Sequence, residues 1–338
     1  MGDKNHKAVS LSEIGEVLEQ VEVACTPEAV REFLAKRPGA LLAIETGTHC
    51  RWVCHVAEEL GHEVLVGNAR KLRMIWGSSR KNDWNDAEML ARVARADRKL
   101  LAPVTLRDGD SQSLLRLVKS RDVLVRCRTA IVNQVRGFCK AEGARLGKCS
   151  SESFVRRKFD LPEAVRAVAA PLFDALEEIG RKVALYDKMI SESLVRIRRE
   201  ESEVLMSVDG VGPVTTAAFL ACVGDPATFS SARDAGPYFG LVPRQDQSGE
   251  TDRQKRISKE GNEVVRRLLV TCANYIMGPF GKDCDLRRHG LKIAERGGKN
   301  ARRRAKVAVA RKLAVTMLSM LRNKSMYRPF ATPQAVPC

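Results

Sequence analysis

The chain has little that would place it in a membrane or outside a cell. No stretch of its 338 residues approaches the ~18 consecutive apolar residues a spanning helix needs, and the polar start MGDKNHK lacks the apolar run of a secretory signal. The ten cysteines are scattered without framework spacing and read as reduced thiols, so a cytoplasmic setting without a membrane partner is expected. Only His49, Cys50, Cys54 and His55 cluster; lacking a second ligand pair, they read as packing of a helix face before they read as zinc ligands. Disorder and a disulfide mini-scaffold are excluded by size and by an apolar content of 44%, which suffices for packed cores in two or three domains.

What is abundant is positive charge. Lys and Arg total 58 against 41 Asp and Glu, a net +17, which points to a polymeric anion, nucleic acid first. The first 100 residues carry 15 basic and 15 acidic side chains, so the remaining 238 hold the whole excess. An electroneutral first domain therefore precedes a basic remainder.

The first hundred residues alternate strand and helix signals. Ala8 to Leu11 and Val17 to Val23 read as strands around a turn at Ile14 and Gly15, and Pro27 opens a helix through about Lys36. Ala40 to Ile44 is an apolar run of strand length ending in Glu45, followed by an amphipathic helix through Leu60. Glu63 to Val66 makes a further strand, Arg70 to Lys81 is basic, and Asp83 begins a helix. This order predicts an α/β domain with a largely parallel or mixed sheet. Glu45 sits at a strand exit, while Asp83 and Asp86 share one face of a helix's first turn. Such carboxylates suit a hard cation, or they simply complement the positive end of the helix.

From Ser111 to about Leu146, and from Pro162 to Met206, apolar residues recur at three and four, predicting two long helices in an antiparallel hairpin or coiled coil. The segment between them, 147 to 159, reads as an exposed turn or arm. Arg116, Lys119, Arg121, Arg126 and Arg128 read as a solvated face or as phosphate contacts. Further on, Val208-Asp-Gly210-Val-Gly212-Pro213 fits a helix-hairpin-helix, whose glycine turn offers backbone N–H groups to a phosphate; a plain helix-packing turn is the alternative. Ser248 lies in a polar segment among Arg244, Arg253, Lys255, Arg256 and Lys259, where a hydroxyl can act as a nucleophile on a phosphate or merely serve a turn. Arg287 to Lys312 holds 11 Lys or Arg, among them Arg302, Arg303 and Arg304, against Glu295 alone, a phosphate-binding helix face whose Val307, Val309, Leu313 and Val315 pack inward.

Five motifs occur in order: Leu42-Ala-Ile-Glu45-Thr-Gly, Arg80-Lys-Asn-Asp83-Trp-Asn-Asp86-Ala, the Val208 to Pro213 turn, Gly240-Leu-Val-Pro-Arg244 with Ser248-Gly, and Ile257-Ser-Lys-Glu-Gly261. From about Gly2 to Tyr327 the chain resembles the DEDD transposases of the insertion-sequence 110 type, the bridge-RNA-guided recombinases. The resemblance implies a ribonuclease-H or RuvC-like catalytic domain over 1–107, a helical hairpin or coiled coil used in assembly over 108–203, and a mainly helical transposase domain with a helix-hairpin-helix over 204–330. It implies DNA strand cleavage and exchange with Mg²⁺ or Mn²⁺ on an Asp-Glu-Asp-Asp quartet and a covalent serine–DNA link. Double-stranded DNA, a structured guide RNA and a homodimer or homotetramer are the implied partners, in a bacterial or archaeal cell. Glu45, Asp83 and Asp86 match the second, third and fourth acids, and Ser248 the serine; acids and hydroxyl are expected to meet at one phosphodiester.

The first acid has no counterpart here. Family members place it in a hydrophobic first strand, and Gly2-Asp3-Lys4 matches the residues just after it, so the expectation is a chain that starts inside that strand, with Asp3 as the only stand-in. Two alternatives to an active recombinase follow. One is a truncated, inactive remnant that still binds DNA and RNA; the other is a junction-resolving nuclease that cuts with water.

Overall fold

The computed structural model describes residues 1–69, 71–72, 82–244, 247–248, 251–252, 255–298 and 300–330. The chain is mostly helical with a few short strands, and it divides into two compact units, residues 1–106 and the chain from Arg107 on. No described helix is long and apolar enough to cross a membrane.

The first unit opens with an antiparallel pair, β1 (Asn5–Leu11) and β2 (Val17–Ala24), in which His6 faces Val23 and Ser10 faces Glu19. Gly15 supplies the positive φ of +90° that the turn requires, and the Glu16 amide donates to Ser12 Oγ at 3.0 Å. Helix α1 (Pro27–Ala35) starts where Pro27 presets the helical φ and Thr26 Oγ1 accepts from the Ala29 amide at 3.2 Å. A β-α-β unit follows: β3 (Leu41–Glu45), α2 (Cys50–Glu59) and β4 (Glu63–Gly67), the strands parallel and in register from Leu41 with Glu63 to Glu45 with Gly67. Helix α3 (Asp83–Ala96) is capped by Asn82, whose side chain accepts from the Trp84 amide.

Ile44 and Val66 of the parallel pair, Val53 and Ala57 of α2, and Val30 and Leu34 of α1 close the core of this unit; each Val, Ile or Leu so buried contributes roughly 1.5–3 kcal/mol. The predicted elements are all present. The single sheet is not: among the described strands, β1 with β2 and β3 with β4 are separate two-stranded ladders.

The second unit begins with α4 (Gly109–Ala141), capped by Asp108, whose carboxylate accepts from the Ser111 amide at 2.7 Å, and α5 (Glu163–Ile197). Leu114 and Val118 pack in one core with Ile190 and Leu194, while Val132 and Val135 pack with Val165 and Phe173, so the helices run antiparallel. Their basic residues are largely paired. Arg121 binds Asp187 at 2.5 Å, Arg126 binds Asp122 at 3.2 Å, and Arg128, nearly buried, pairs with Glu152; Arg116 and Lys119 stay exposed.

The segment between the helices is a turn region, exposed or half-buried over 147–159 apart from Phe154, and its 3₁₀ stretch Ser153–Asp160 seats Phe154 against Phe173, their ring centroids 5.7 Å apart. One expectation needs correction here. The second long helix ends at Ile197, where Arg198 leaves helical geometry at φ −141°, and α6 (Arg199–Met206) is a separate helix.

Helix α7 (Pro213–Val223) is buried along almost its whole length and is apolar all round, the signature of a helix enclosed by others. Around it lie the lower parts of α4 and α5, α6, the short α8 (Ala235–Tyr238) and α9 (Glu263–Ile276). The basic C-terminal region is two helices rather than one, α10 (Asp285–Glu295) and α11 (Ala301–Asn323), broken where Gly297 and Gly298 adopt φ of +74° and +87°. Val309 and Leu313 of α11 are fully buried, and Val307 and Val315 pack beside them, as their spacing predicts.

Candidate functional site

In the first unit, Glu45, Asp83 and Asp86 all line one cavity of about 820 Å³. Glu45 reaches it from the end of β3, and the two aspartates from the first turn of α3, the positive end of that helix. Carboxylate oxygens are the donor type a hard divalent cation takes. Among the described residues, however, no three His, Cys, Asp or Glu side chains stand close enough together to hold a metal ion. The amino terminus lies 4.0 Å from Glu45 Oε1. The three acids thus share a cavity, and the donor chemistry suits a cation, but the set is not closed around one. Asp3 is not part of the cavity lining; its carboxylate is fully exposed and stands 3.1 Å from His49 Nε2.

The His49 to His55 group does not converge either. Cys50 and Cys54 place their sulfurs 3.8 Å apart in the core, where the neighbouring thiol and burial push the Cys54 thiol well above its usual range. His55 turns outward to Glu59 at 3.2 Å. The basic stretch predicted over 70–81, including Arg80 and Lys81, lies outside the described residues apart from Lys71 and Leu72.

In the second unit, α6 and α7 are joined by the predicted glycine turn. Gly210 has φ +89°, and a Cβ there would stand 2.5 Å from Tyr275 Cδ1, so the turn needs glycine for both conformation and space. Gly212 caps α7 with extended backbone, leaving the first-turn N–H groups of that helix without a side-chain cap. Beside the turn, Asp209 pairs with Lys282 at 3.0 Å.

Arg302, Arg303 and Arg304 are exposed together at the start of α11, whose first turn holds no acidic residue. Cations at the positive end of a helix are electrostatically unfavourable, so this triplet is placed against the stability of its own helix, and an anion there relieves it. Elsewhere in this basic region, burial, and then the nearby Lys312 and Arg296, hold the His289 pKa below its ordinary value.

Ser248 belongs to a two-stranded arm rather than an irregular loop. Lys259 donates to the Gly240 carbonyl at 3.1 Å, Ser258 to Val242 at 2.8 Å and Arg244 to Arg256 at 3.0 Å. Farther out, β5 (Gln247–Ser248) pairs with β6 (Thr251–Asp252), Ser248 opposite Thr251. The side chains of Ser248 and its neighbours, and all of Gly249 and Arg253, lie outside the described residues.

The root of the arm is held by two glycines. A Cβ on Gly240 would stand 2.3 Å from the Glu260 nitrogen, and one on Gly261 would stand 2.0 Å from the Tyr238 oxygen; both have positive φ. Arg266, which sequence reasoning passed over, donates from Nη1 to the Phe239 carbonyl at 3.1 Å and the Glu260 carbonyl at 2.6 Å, tying both roots to α9. Only its place four residues into a helix following Lys-Glu-Gly-Asn could have hinted at that role. Arg244, Arg256 and Lys259 are exposed along the arm. Exposed cations along such an arm are equipped to meet a phosphate.

Comparison with known proteins identifies the family of the chain. A transposase family model of the DEDD type found in IS110 matches residues 1–141, and the model described as the IS116/IS110/IS902 transposase family matches residues 202–282. A probable family 20 transposase of Pseudomonas aeruginosa is 28% identical over 312 residues, covering 89% of each chain. The transposase for insertion sequence element IS1111A of Coxiella burnetii is 31% identical over 261 residues, covering 74% of this chain and 69% of that one. A pilin gene-inverting protein of Moraxella bovis is 27% identical over 130 residues, 38% of each chain.

Proposed function

Because the chain belongs to the IS116/IS110/IS902 family of transposases, we propose that it cleaves and exchanges DNA strands through a serine–DNA covalent intermediate. As a member of that family it is a transposase, and DEDD transposases typically use a divalent metal. The observation that carries the finer reading is the arm: Ser248 paired with Thr251 in its outer ladder, roots locked by Gly240 and Gly261, and Arg244, Arg256 and Lys259 exposed along it.

In the proposed step, the Ser248 oxygen forms a bond to phosphorus while a bond from phosphorus to a deoxyribose oxygen breaks. The serine proton ends on the released sugar oxygen. Arg244 and Arg256 hold the non-bridging oxygens by charge-assisted hydrogen bonds. Glu45, Asp83 and Asp86 are the residues that would hold Mg²⁺ or Mn²⁺, which when bound supplies charge neutralisation at phosphate oxygens. The Gly210 to Gly212 turn, Lys259 and the Arg302 to Arg304 triplet contact the DNA backbone, as the net charge of +17 favours. Guidance by a structured RNA and assembly as a homodimer or homotetramer complete the reading.

The test is adduct formation. Purified chain incubated with Mg²⁺, labelled DNA and guide RNA gives a protein–DNA adduct that survives SDS; Ser248→Ala abolishes it, and Glu45→Gln reduces it by at least about 100-fold, the scale on which a catalytic electrostatic contact acts. DNA binding without any adduct supports a second reading, favoured by the absence of a closed three-ligand set among the described residues: a remnant that holds DNA and RNA without exchanging strands. Strand scission that persists unchanged in Ser248→Ala identifies a water-using nuclease instead.

A further inference from the structure

Antiparallel helices are commonly joined by about 2–5 residues. The connection from the end of α4 to the start of α5, residues 142–162, runs to 21, a length that inside a folded domain usually serves a function. It is also built. Val135 and Cys139 of α4, with Val165 and Phe173 of α5, enclose Phe154 and Leu161 in a core separate from the one around α7. The hairpin thus ends in a head of its own.

Two arginines hold the surface of this head in place. Arg136 donates to the Leu146 and Gly147 carbonyls at 3.1 and 3.2 Å, and its guanidinium stands 5.1 Å from the Phe154 ring centroid. Arg128 reaches out to Glu152. A Cβ on Gly147 would lie 3.3 Å from Arg157 Nη2, so the loop through Gly147 runs against the 3₁₀ stretch Ser153–Asp160.

What the head shows to solvent is positive charge and one aromatic ring. Arg145, Lys148 and Arg156 are exposed and make no ion pair among the described residues, and the same holds for Lys140 at the end of α4. Of the three acids in the connection, Glu152 is bound by Arg128 and Asp160 by Arg157, which leaves Glu142 alone to offset them. Phe159, three residues beyond Arg156, is 86% exposed. A lone exposed ring needs no explanation. A ring carried beside unpaired cations on a clamped surface is the combination that takes up unpaired nucleotides, with charge for the phosphates and a flat apolar face for a base. A duplex keeps its bases stacked on one another and offers such a ring nothing.

We propose that the head of the α4–α5 hairpin is a binding site for single-stranded nucleic acid, in which Arg145, Lys148 and Arg156 hold phosphates and Phe159 stacks on an unpaired base. A DNA strand and an RNA loop both carry that chemistry. The site needs neither Ser248 nor a metal, so it is independent of the strand-exchange reaction proposed above.

The test uses the full chain in EDTA with oligo(dT) and oligo(U) of about ten nucleotides, read by amide exchange at residues 142–162, a signal that other basic surfaces do not supply. Slowed exchange that saturates with oligonucleotide is expected. Stronger protection by oligo(dT) names a DNA strand as the ligand, stronger protection by oligo(U) names RNA, and equal protection means the head accepts both. An abasic oligonucleotide keeps the phosphates and should need about ten-fold more for half-protection; Phe159→Ala should show the same loss with the normal oligonucleotide, and Phe159→Trp should not. Replacing Arg145, Lys148 and Arg156 together by Ala should lower the log–log salt slope of head protection by about 2, at roughly 0.7 for each phosphate contact. All four side chains are exposed, so these variants should melt as the wild type does. Absence of protection by either oligonucleotide overturns the site, as does protection that is indifferent both to the missing bases and to Phe159→Ala. Light scattering that shows Phe159→Ala splitting an assembled form, with head protection unchanged, assigns the ring to contact between copies and overturns it too.

Discussion

Gly261→Ala should be among the most damaging single-methyl additions the second unit can receive. The added Cβ would lie 2.0 Å from the Tyr238 carbonyl oxygen, a backbone atom that cannot rotate away, at a residue with φ +70°. The left-handed conformation alone disfavours Ala by about 1–2 kcal/mol. The steric conflict with backbone adds an overpacking term of about 1–3 kcal/mol, so the sum is about 2–5 kcal/mol. Gly143→Ala isolates the first part: φ there is +72°, and nothing lies within 4 Å of the added carbon, so about 1 kcal/mol is expected.

Urea unfolding followed by circular dichroism gives both values. At about 1.4 kcal/mol per decade, a 2 kcal/mol gap between the variants is more than ten-fold in the folding equilibrium. If Gly261→Ala is no worse than Gly143→Ala, the arm's root is not clamped as described, and the case for Ser248 as a positioned hydroxyl loses its support. If the arm is clamped, the same variant also loses adduct formation under conditions where most of the protein remains folded.

Two further outcomes follow from charge. Replacing Arg302, Arg303 and Arg304 together by Ala should stabilise the chain slightly, roughly 0.3–1 kcal/mol per removed cation at low ionic strength, while lowering DNA affinity and reducing the steepness of its salt dependence by about 2–3 in log–log slope; thermal melts and binding isotherms at several salt concentrations check both signs. Burial, followed by the nearby amino terminus and His49, lowers the His6 pKa from its ordinary value of 6.5, so folding favours its neutral form. That contribution is fully present above pH 6.5 and is lost as pH falls through the window below it, a loss that His6→Gln should remove from a pH series of unfolding midpoints.

The order of elements was legible because the residues that build them act locally. Thr26 with Pro27, and Asn82 ahead of Asp83, announce their helices through caps, and the apolar run into Glu45 reads as a strand whatever it packs against. Pairing across the sheet was not legible, since periodicity reports which face of a strand is buried and says nothing about which neighbour bonds to its edge. The arm was missed for a related reason. Its ladder depends on Gly240 and Gly261 meeting the backbone of residues about 20 positions away, and a sequence window around Gln-Ser-Gly sees only turn formers. Arg128 misled in the opposite direction: it reads as one cation on a solvated face, yet it turns inward to Glu152. Glu45, Asp83 and Asp86 can be singled out by residue type and spacing, whereas the cavity they share is set by tertiary packing that no local pattern reports.

The lower turns of both long helices are walls of the core that encloses α7, with Leu114, Leu115, Ile190 and Leu194 among its buried residues. A hairpin rooted this way cannot pivot at its base without opening that core. With 33 residues in α4 and about 1.5 Å of rise for each, it is a mast of about 50 Å, stiffened at its far end by Phe154 stacked on Phe173. Whatever grips that far end therefore moves the Ser248 arm's own platform as a single lever.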